Sequence, residues 1–249
     1  MTRYEVIGVS GIGEVRHGDD IGRLVVEAAA RQSTPVQAGD LLVIGQKIVS
    51  KAEGRLVRLS EVTPSAIAQS LAPGHGRDAR LVEVILRESR RVVRMDRGVL
   101  ITETHHGWVC ANAGVDQSNV DVDTVALLPE DPDRSARELR EGLRTRAGLD
   151  VAVIIADTFG RPWREGLTNV AIGLAGFAPL RSYLGELDSA GRPLQATIIA
   201  LADELAGAAE LVMGKLDRVP VAIIRGLALT AGEEGSKGLL RDPARDLFR

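Results

Sequence analysis

Apolar positions along the chain fall into two patterns, short unbroken runs and stripes at helical spacing, and they alternate without a strict order. Residues 4–9 alternate weakly and predict a strand leading into the turn-rich Ser10-Gly11-Ile12-Gly13. Asp19 or Asp20 then stands ready to cap a helix over residues 21–31, where Leu24, Val25, Ala28 and Ala29 share one face. Residues 41–49 form an apolar run that predicts a strand, with the polar cluster Ser50-Lys51-Ala52-Glu53-Gly54-Arg55 at its far end. A helix capped by Ser60 or Thr63 runs to about residue 71, a loop covers 73–76, and the spacing over 79–90 predicts another helix. Residues 92–95, 99–102 and 107–111 read as short strands of a meander.

In the second half, a proline-bounded loop from Leu127 to Asp133 precedes a charged helix, capped by Asp133 or Ser135, running to about Arg146 and stopped by Gly148. Val151-Ala152-Val153-Ile154-Ile155 predicts a fully buried strand. Strands over 168–176 and 194–199, a turn at 188–191, a helix over 202–213 and a buried strand over 219–224 follow, and the tail from 237 is polar and peripheral. This mixture favours a mixed α/β or α+β sheet over a doubly wound one. The expected organisation is one domain, with a soft internal boundary over 129–150.

Composition narrows the class. The 249 residues suffice for a substantial core, and with aromatics at 3% that core must be built from Val, Leu, Ile and Ala. The 31 basic residues against 34 acidic ones, with few aromatics to stack bases, argue against a nucleic-acid partner. Cys110 is the only cysteine, which excludes an internal disulfide and a thiolate zinc cluster. No apolar run approaches the roughly 20 residues of a membrane span, and residues 1–10 lack the form of a targeting signal, so a cytoplasmic enzyme is expected.

Two segments carry the candidate chemistry. Asn112-Ala113-Gly114-Val115-Asp116-Gln117-Ser118-Asn119 concentrates oxygen donors beside a chain-bending glycine, a combination suited to a divalent cation and to close approach of a phosphate. A loop whose Asx side chains merely satisfy their own backbone is the plainer alternative. The second is Asp157-Thr158-Phe159-Gly160-Arg161-Pro162-Trp163-Arg164-Glu165-Gly166, where a carboxylate and a hydroxyl follow the buried strand and two guanidiniums imply an anionic ligand. Lys51 is either a phosphate contact or half of an exposed ion pair with Glu53. His105 and His106, adjacent on a strand or turn, point apart and make a poor metal pair, while Cys110 reads as inert packing and Trp108 as core. Trp163, between Pro162 and Arg164, is a candidate pocket wall. Neither a P-loop nor the G-x-G-x-x-G fingerprint is present, which disfavours both common nucleotide folds.

Several dispersed motifs occur in one order: Val43 with Val49-Ser50-Lys51-Ala52-Glu53-Gly54-Arg55, then Asn112 to Asn119, Asp157-Thr158-Phe159-Gly160-Arg161, and Met213-Gly214-Lys215. Together they resemble the coenzyme F420-0:L-glutamate ligases, the γ-glutamyl ligases, from about Tyr4 to about Leu247. The resemblance implies a GTP-dependent ligase that adds L-glutamate to the lactyl-phosphate carboxyl of the deazaflavin precursor through an acyl phosphate, with further γ-linked additions in some members. It implies a homodimer of intertwined mixed α/β fold and two divalent cations, Mg²⁺ or Mn²⁺, with K⁺ as a further ion.

By position, Ile12, Gly13, Glu14 and Val15 look like a nucleotide-contacting loop, with Gln46, Lys51, Asn119, Gly214 and Lys215 as further contacts. Asp116 and Asp157 look like ligands of one cation and Thr158 of a second, while Arg161 is expected to stabilise charge on the reacting carbonyl. Gln46 stands where archaeal relatives have a small hydroxyl residue, and Lys215 where they can have an acidic one. Some actinobacterial relatives carry a fused nitroreductase-like domain, so a stand-alone ligase and a domain of such a protein are both open. The same oxygens would serve a metal-dependent phosphohydrolase or phosphotransferase, and a non-catalytic nucleotide- or deazaflavin-binding module is the rival from another class.

Overall fold

A computed structural model describes residues 3–73 and 76–246. Gly74 and His75 of the expected loop and residues 247–249 of the tail lie outside them. The elements, in chain order, are β1 (Glu5–Val9), α1 (Ile21–Arg31), β2 (Leu41–Gly45), α2 (Gln46–Ala52), β3 (Leu56–Arg58), α3 (Ala66–Leu71), α4 (Ala79–Arg87), β4 (Ser89–Asp96), β5 (Val99–Thr104), β6 (Val109–Ala111) and β7 (Thr124–Ala126). They continue with α5 (Pro132–Ala147), β8 (Ala152–Arg161), β9 (Arg164–Ala175), β10 (Arg181–Ser182), β11 (Ile198–Ile199), α6 (Leu201–Met213) and β12 (Val221–Arg225).

The mixed α/β class expected from the pattern is the class observed. A five-stranded sheet in the order β1-β12-β2-β8-β9 forms the centre, and its strands are antiparallel except for the parallel pair β2 and β8. Side chains on a strand alternate between faces, and here each face finds its own helices. Leu42, Ile44, Val153, Ile155 and Ile223 pack with Val25, Ala28 and Ala29 of α1 and Ala136 and Leu143 of α5. Leu41, Val43, Ile154, Ala222 and Ile224 pack on the other side with Leu205, Ala206, Ala209 and Met213 of α6. Burial on both faces explains why β2, β8 and β12 read as unbroken apolar runs. A third apolar cluster, with Leu81, Val82 and Ile85 of α4 against Leu100, Val125 and Leu127, lies among residues 57–127. Among the described residues no helix is long and apolar enough to cross a membrane.

Helix boundaries follow their capping chemistry. Asp20 caps α1 by accepting from the Arg23 N–H at 3.0 Å, and Asp131 caps α5 by accepting from Arg134 at 2.9 Å, with Pro132 in the first turn and Gly148 closing the helix at φ 66°. The cap of α5 is therefore Asp131 and not Asp133 or Ser135. Asp133 is instead buried under β9, where its Oδ1 accepts from the backbone N–H groups of Leu174 at 2.9 Å and Ser236 at 2.8 Å. Ser65, not Ser60 or Thr63, caps α3, because the helix begins at Ala66 and the Ser65 hydroxyl accepts from the Ala68 N–H.

Three corrections bear on the site. The expected strand 41–49 ends at Gly45, whose N–H donates to the Pro220 carbonyl at 2.8 Å, and the chain turns at once into α2. Ile48, Val49 and Ala52 pack on the core, so residues with a preference for strands serve one apolar face of a helix. Two short strands, β3 and β7, pair with each other where the pattern predicts no element, and the expected strand 194–199 shrinks to β11. Finally, β8 runs on to Arg161, well beyond Ile155, and turns through Trp163 (φ 57°) into β9, so Asp157 lies within a strand.

Candidate active site

The site gathers where β2 stops. The last parallel pairing joins Gly45 to Ala156, so at Asp157 strand β8 has lost its neighbour on that side while β9 continues on the other. The carboxyl ends of parallel strands are where α/β sheets leave room for ligands. A register shift after Ile155 falls just before Asp157 and turns this stretch of the strand relative to the sheet.

Helix α2 fills the space above that end and presents two ammonium groups one turn apart. Lys47 Nζ lies 2.8 Å from Asp116 Oδ2 and 2.6 Å from Ser118 Oγ. Lys51, buried, pairs with Glu14 of the 12–15 loop rather than with Glu53. Gln46 is buried and accepts from Ser50 Oγ at 2.8 Å. In the loop itself, the Ile12 and Val15 side chains belong to the core, which leaves Gly13 (φ 81°), Glu14 and the backbone to face a ligand. Glu53 turns away to Ser135, and burial raises its carboxyl above the usual range.

The segment 112–119 is bent by a run of left-handed residues. Asn112, Ala113 and Gly114 have φ of 55°, 55° and 71°. A Cβ on Gly114 would lie 2.7 Å from Leu128 Cγ, so glycine is required both by conformation and by space. Strain of this kind persists where surrounding packing fixes it, and it concentrates at ligand sites. Beyond the bend, Asp116 is anchored by a backbone pairing with Ala126 and accepts from the Ser118 N–H at 2.7 Å. Asn119 is exposed at φ 55°.

Asp116 and Asp157 act on one another electrostatically. Burial pushes the Asp157 carboxyl up to about 6, the Asp116 charge adds to the rise, and the Thr158 N–H, Lys215 and Lys47 oppose it. Burial also works against ionised Asp116, but hydrogen bonds from Lys47 and Ser118 outweigh it and hold that carboxyl below its usual range. Two carboxylates, one of them feeling the other's charge in partly buried surroundings, suit a divalent cation. No group of three or more His, Cys, Asp or Glu side chains that could hold a metal occurs among the described residues. The protein thus offers two carboxylates, and phosphate and water oxygens would complete the shell, as is usual for Mg²⁺.

Thr158 is engaged differently. Its Oγ1 donates to Asn169 Oδ1 at 2.7 Å and accepts from Lys215 Nζ, while Asn169 Nδ2 donates to Glu210 Oε2 at 2.8 Å and Lys215 lies 3.6 Å from Glu210 Oε1. The hydroxyl's proton and one of its lone pairs are thus engaged, and the Lys215 ammonium places positive charge where a second cation would bind. Gly214, at φ 58°, ends α6 and starts the turn that brings Lys215 there. Arg161 stays within its own hairpin, where Nη2 donates to the Glu165 carbonyl at 2.7 Å. It makes no hydrogen bond or ion pair with Asp116 or Asp157 among the described residues. Trp163 at the hairpin tip is 80% exposed.

Lys47, Asn169 and Glu210 were missed in the sequence. The i,i+4 spacing of Lys47 and Lys51 was the available signal, but it has meaning only if residues 46–52 are helical. Cys110 is buried and its thiol is pushed up to about 12, first by burial and then by the Asp157 charge, which leaves it unreactive as expected. His105 and His106 bond to backbone carbonyls of Arg87 and of Pro129 and Glu130, away from any ligand cluster.

Comparison with known proteins points the same way. The sequence profile of the family described as F420-0:Gamma-glutamyl ligase matches residues 11–226. The chain is 50% identical over 241 residues to the coenzyme F420:L-glutamate ligase of Methanopyrus kandleri, covering 95% of this chain and 94% of that protein. It is 46% identical to the protein of the same name from Methanothermobacter thermautotrophicus, over 98% of both chains. The one from Methanocaldococcus jannaschii is 42% identical over 86% of both chains.

Proposed function

Because the chain belongs to the F420-0:gamma-glutamyl ligase family, we propose that it joins L-glutamate to F420-0 at the expense of GTP, at the site where Asp116, Asp157, Lys47 and Lys215 converge. The observation that carries this reading is the charge around the end of β2, where Lys47 pairs with Asp116, Lys215 reaches Thr158, and all three charges act on the buried Asp157. That arrangement suits the terminal phosphates of a nucleotide and the charge that develops on them.

A divalent cation bound by Asp116 and Asp157 would neutralise phosphate oxygens and hold them in line. Lys47 and Lys215 both place positive charge near Asp157, and the 12–15 loop is tied to α2 through Lys51 and Glu14, where the rest of the nucleotide would run. The acid substrate's carboxylate oxygen attacks the γ-phosphorus, the bond from that phosphorus to the β-bridging oxygen breaks, and GDP leaves with the electron pair. The glutamate amine then attacks the acyl phosphate carbon, phosphate departs, and the amine's surplus proton is released. Further γ-glutamyl additions would repeat these two steps on the new carboxyl. No protein nucleophile takes part, consistent with the unreactive Cys110.

A homodimer is part of the reading. The β8–β9 hairpin carries exposed Trp163 and Leu167, and Leu184, Leu187 and Ile198 lie open between β9 and α6. We place the enzyme in the cytoplasm as a soluble dimer acting on small molecules.

The test is mass spectrometry of F420-0 incubated with the protein, L-glutamate, GTP and Mg²⁺ or Mn²⁺. A product heavier by one glutamyl unit, absent without GTP, supports the reading. Phosphate release that is indifferent to glutamate would instead identify a phosphohydrolase.

A further inference from the structure

A cleft of about 590 Å³ opens beside the carboxylates, between the start of α4 and the 112–118 segment. Asp116 and Ser118 form one end of it and Arg77 another part of its wall, with Leu81 and Val115 contributing apolar surface. Its size falls within the roughly 300–1,000 Å³ of sites that enclose cofactor-sized ligands, and it is far larger than an amino acid needs.

Arg77 is the cation of this cleft, whose wall also includes Asp78 and Gln117, and the chemistry described so far does not use it. Its Nη1 donates to Asn112 Oδ1 at 2.9 Å, and the same oxygen receives the Leu100 N–H at 3.5 Å, so the strained 112–114 bend also orients the guanidinium. Nearby acids are engaged elsewhere: Asp78 with Arg80 at 2.6 Å, Glu83 with Arg87 at 2.9 Å and Glu88 with Arg55 at 2.8 Å. Among the described residues Arg77 has no carboxylate partner. A fixed, partly buried guanidinium without an anion, facing a cleft that ends at the reaction centre, calls for an oxyanion on the ligand.

We propose that this cleft binds the F420-0 side of the reaction, with Arg77 pairing with an oxyanion of that substrate so that its reacting carboxylate reaches the Asp116 end. The apolar wall takes the uncharged body of the molecule, and the amino acid enters from elsewhere. This assignment rests on the ligase reading above and adds to it the location of the larger substrate and the residue that selects it.

The test measures KM separately for F420-0, L-glutamate and GTP in the wild-type protein and in the variants Arg77→Gln, Arg77→Lys and Gln117→Trp. Gln117 lines the cleft and is exposed, so tryptophan there narrows the cleft while Arg77 keeps its bond to Asn112. Loss of a charge-assisted pair should raise the KM for F420-0 by about tenfold to a hundredfold in Arg77→Gln, with partial recovery in Arg77→Lys. Gln117→Trp should raise the same constant, and those for glutamate and GTP should stay within about twofold. If Arg77→Gln fails to fold, Gln117→Trp decides alone. A KM for F420-0 that neither variant moves, or a rise confined to glutamate, overturns the assignment while leaving the ligase reading intact. A wild-type protein that forms no glutamyl product overturns both.

Discussion

Lys47 Nζ sits 2.8 Å from Asp116 Oδ2, joining the first turn of α2 to the oxygen-rich segment across 69 residues of chain. The ammonium occupies the carboxylate that a cation would use, so the two compete in the absence of nucleotide. Replacing Lys47 with Gln should therefore tighten Mn²⁺ binding to the nucleotide-free protein by a few-fold while lowering ligase turnover, because the positive charge beside the phosphates is lost. Mn²⁺ titration followed by electron paramagnetic resonance, run beside the glutamylation assay, reads both effects. Weaker Mn²⁺ binding in the variant would show that Lys47 supports the ion instead.

Asp157 makes metal-free stability depend on pH in a direction opposite to an ordinary salt-bridged carboxylate. Its folded-state pKa of about 6 stands above the ordinary value of 3.8. Between those values the folded chain keeps a proton that the unfolded chain has released, so stability falls as pH rises through the window and this group's contribution is constant above it. At about 1.4 kcal/mol per unit the penalty at neutral pH is at most about 3 kcal/mol. Asp157→Asn should remove it, making the metal-free variant more stable than the wild type at pH 7.5 and narrowing the difference at pH 5. Added Mn²⁺ should reverse the order. Urea unfolding at the two pH values checks this, and a variant less stable at pH 7.5 in chelator would contradict it.

Gly114→Ala tests the bend. Alanine would be forced to φ 71° with its Cβ against Leu128 Cγ at 2.7 Å. Strain and crowding together should lower stability by about 2–4 kcal/mol. The displaced Asp116 should also bind Mn²⁺ less tightly in whatever fraction remains folded. Denaturant melts and the same Mn²⁺ titration separate these effects.

The contact between Lys215 and Thr158 predicts metal stoichiometry. With GDP present, the wild-type chain should bind one Mn²⁺ per protomer at moderate concentration, since the Thr158 hydroxyl is already held by Lys215 and Asn169. Lys215→Gln removes the ammonium, supplies an amide oxygen and should raise that ratio. Equilibrium dialysis with metal analysis measures it, and two ions per protomer in the wild type would mean that Lys215 gives way on loading.

Much of the scaffold was readable because its signals are local. Asp20 before Ile21 and Gly148 after Ala147 act on the turns they adjoin, and the alternation of faces in β2 and β8 requires only that both sides of the sheet be covered. Asp116 and Asp157 stood out as candidates because each follows an apolar run, and their pairing as ligands of one cation came from the family resemblance. Helix α2 was not legible. Its seven residues include Ile48 and Val49, which favour a strand when read alone, and its start is fixed by the hydrogen bond from Gly45 to Pro220, a residue 175 positions away.

From the sequence by itself came the donors, the caps, the apolar runs and the ordered motifs by which the family is recognised. Tertiary structure decided how they combine: β2 ends one residue before the level of Asp157, and the charges of Lys47, Asp116 and Lys215, from three separate parts of the chain, act on that carboxyl. The division follows from range. Caps and turns are settled by hydrogen bonds within a few residues, whereas the charge balance of this site depends on groups whose proximity exists only after the sheet has formed.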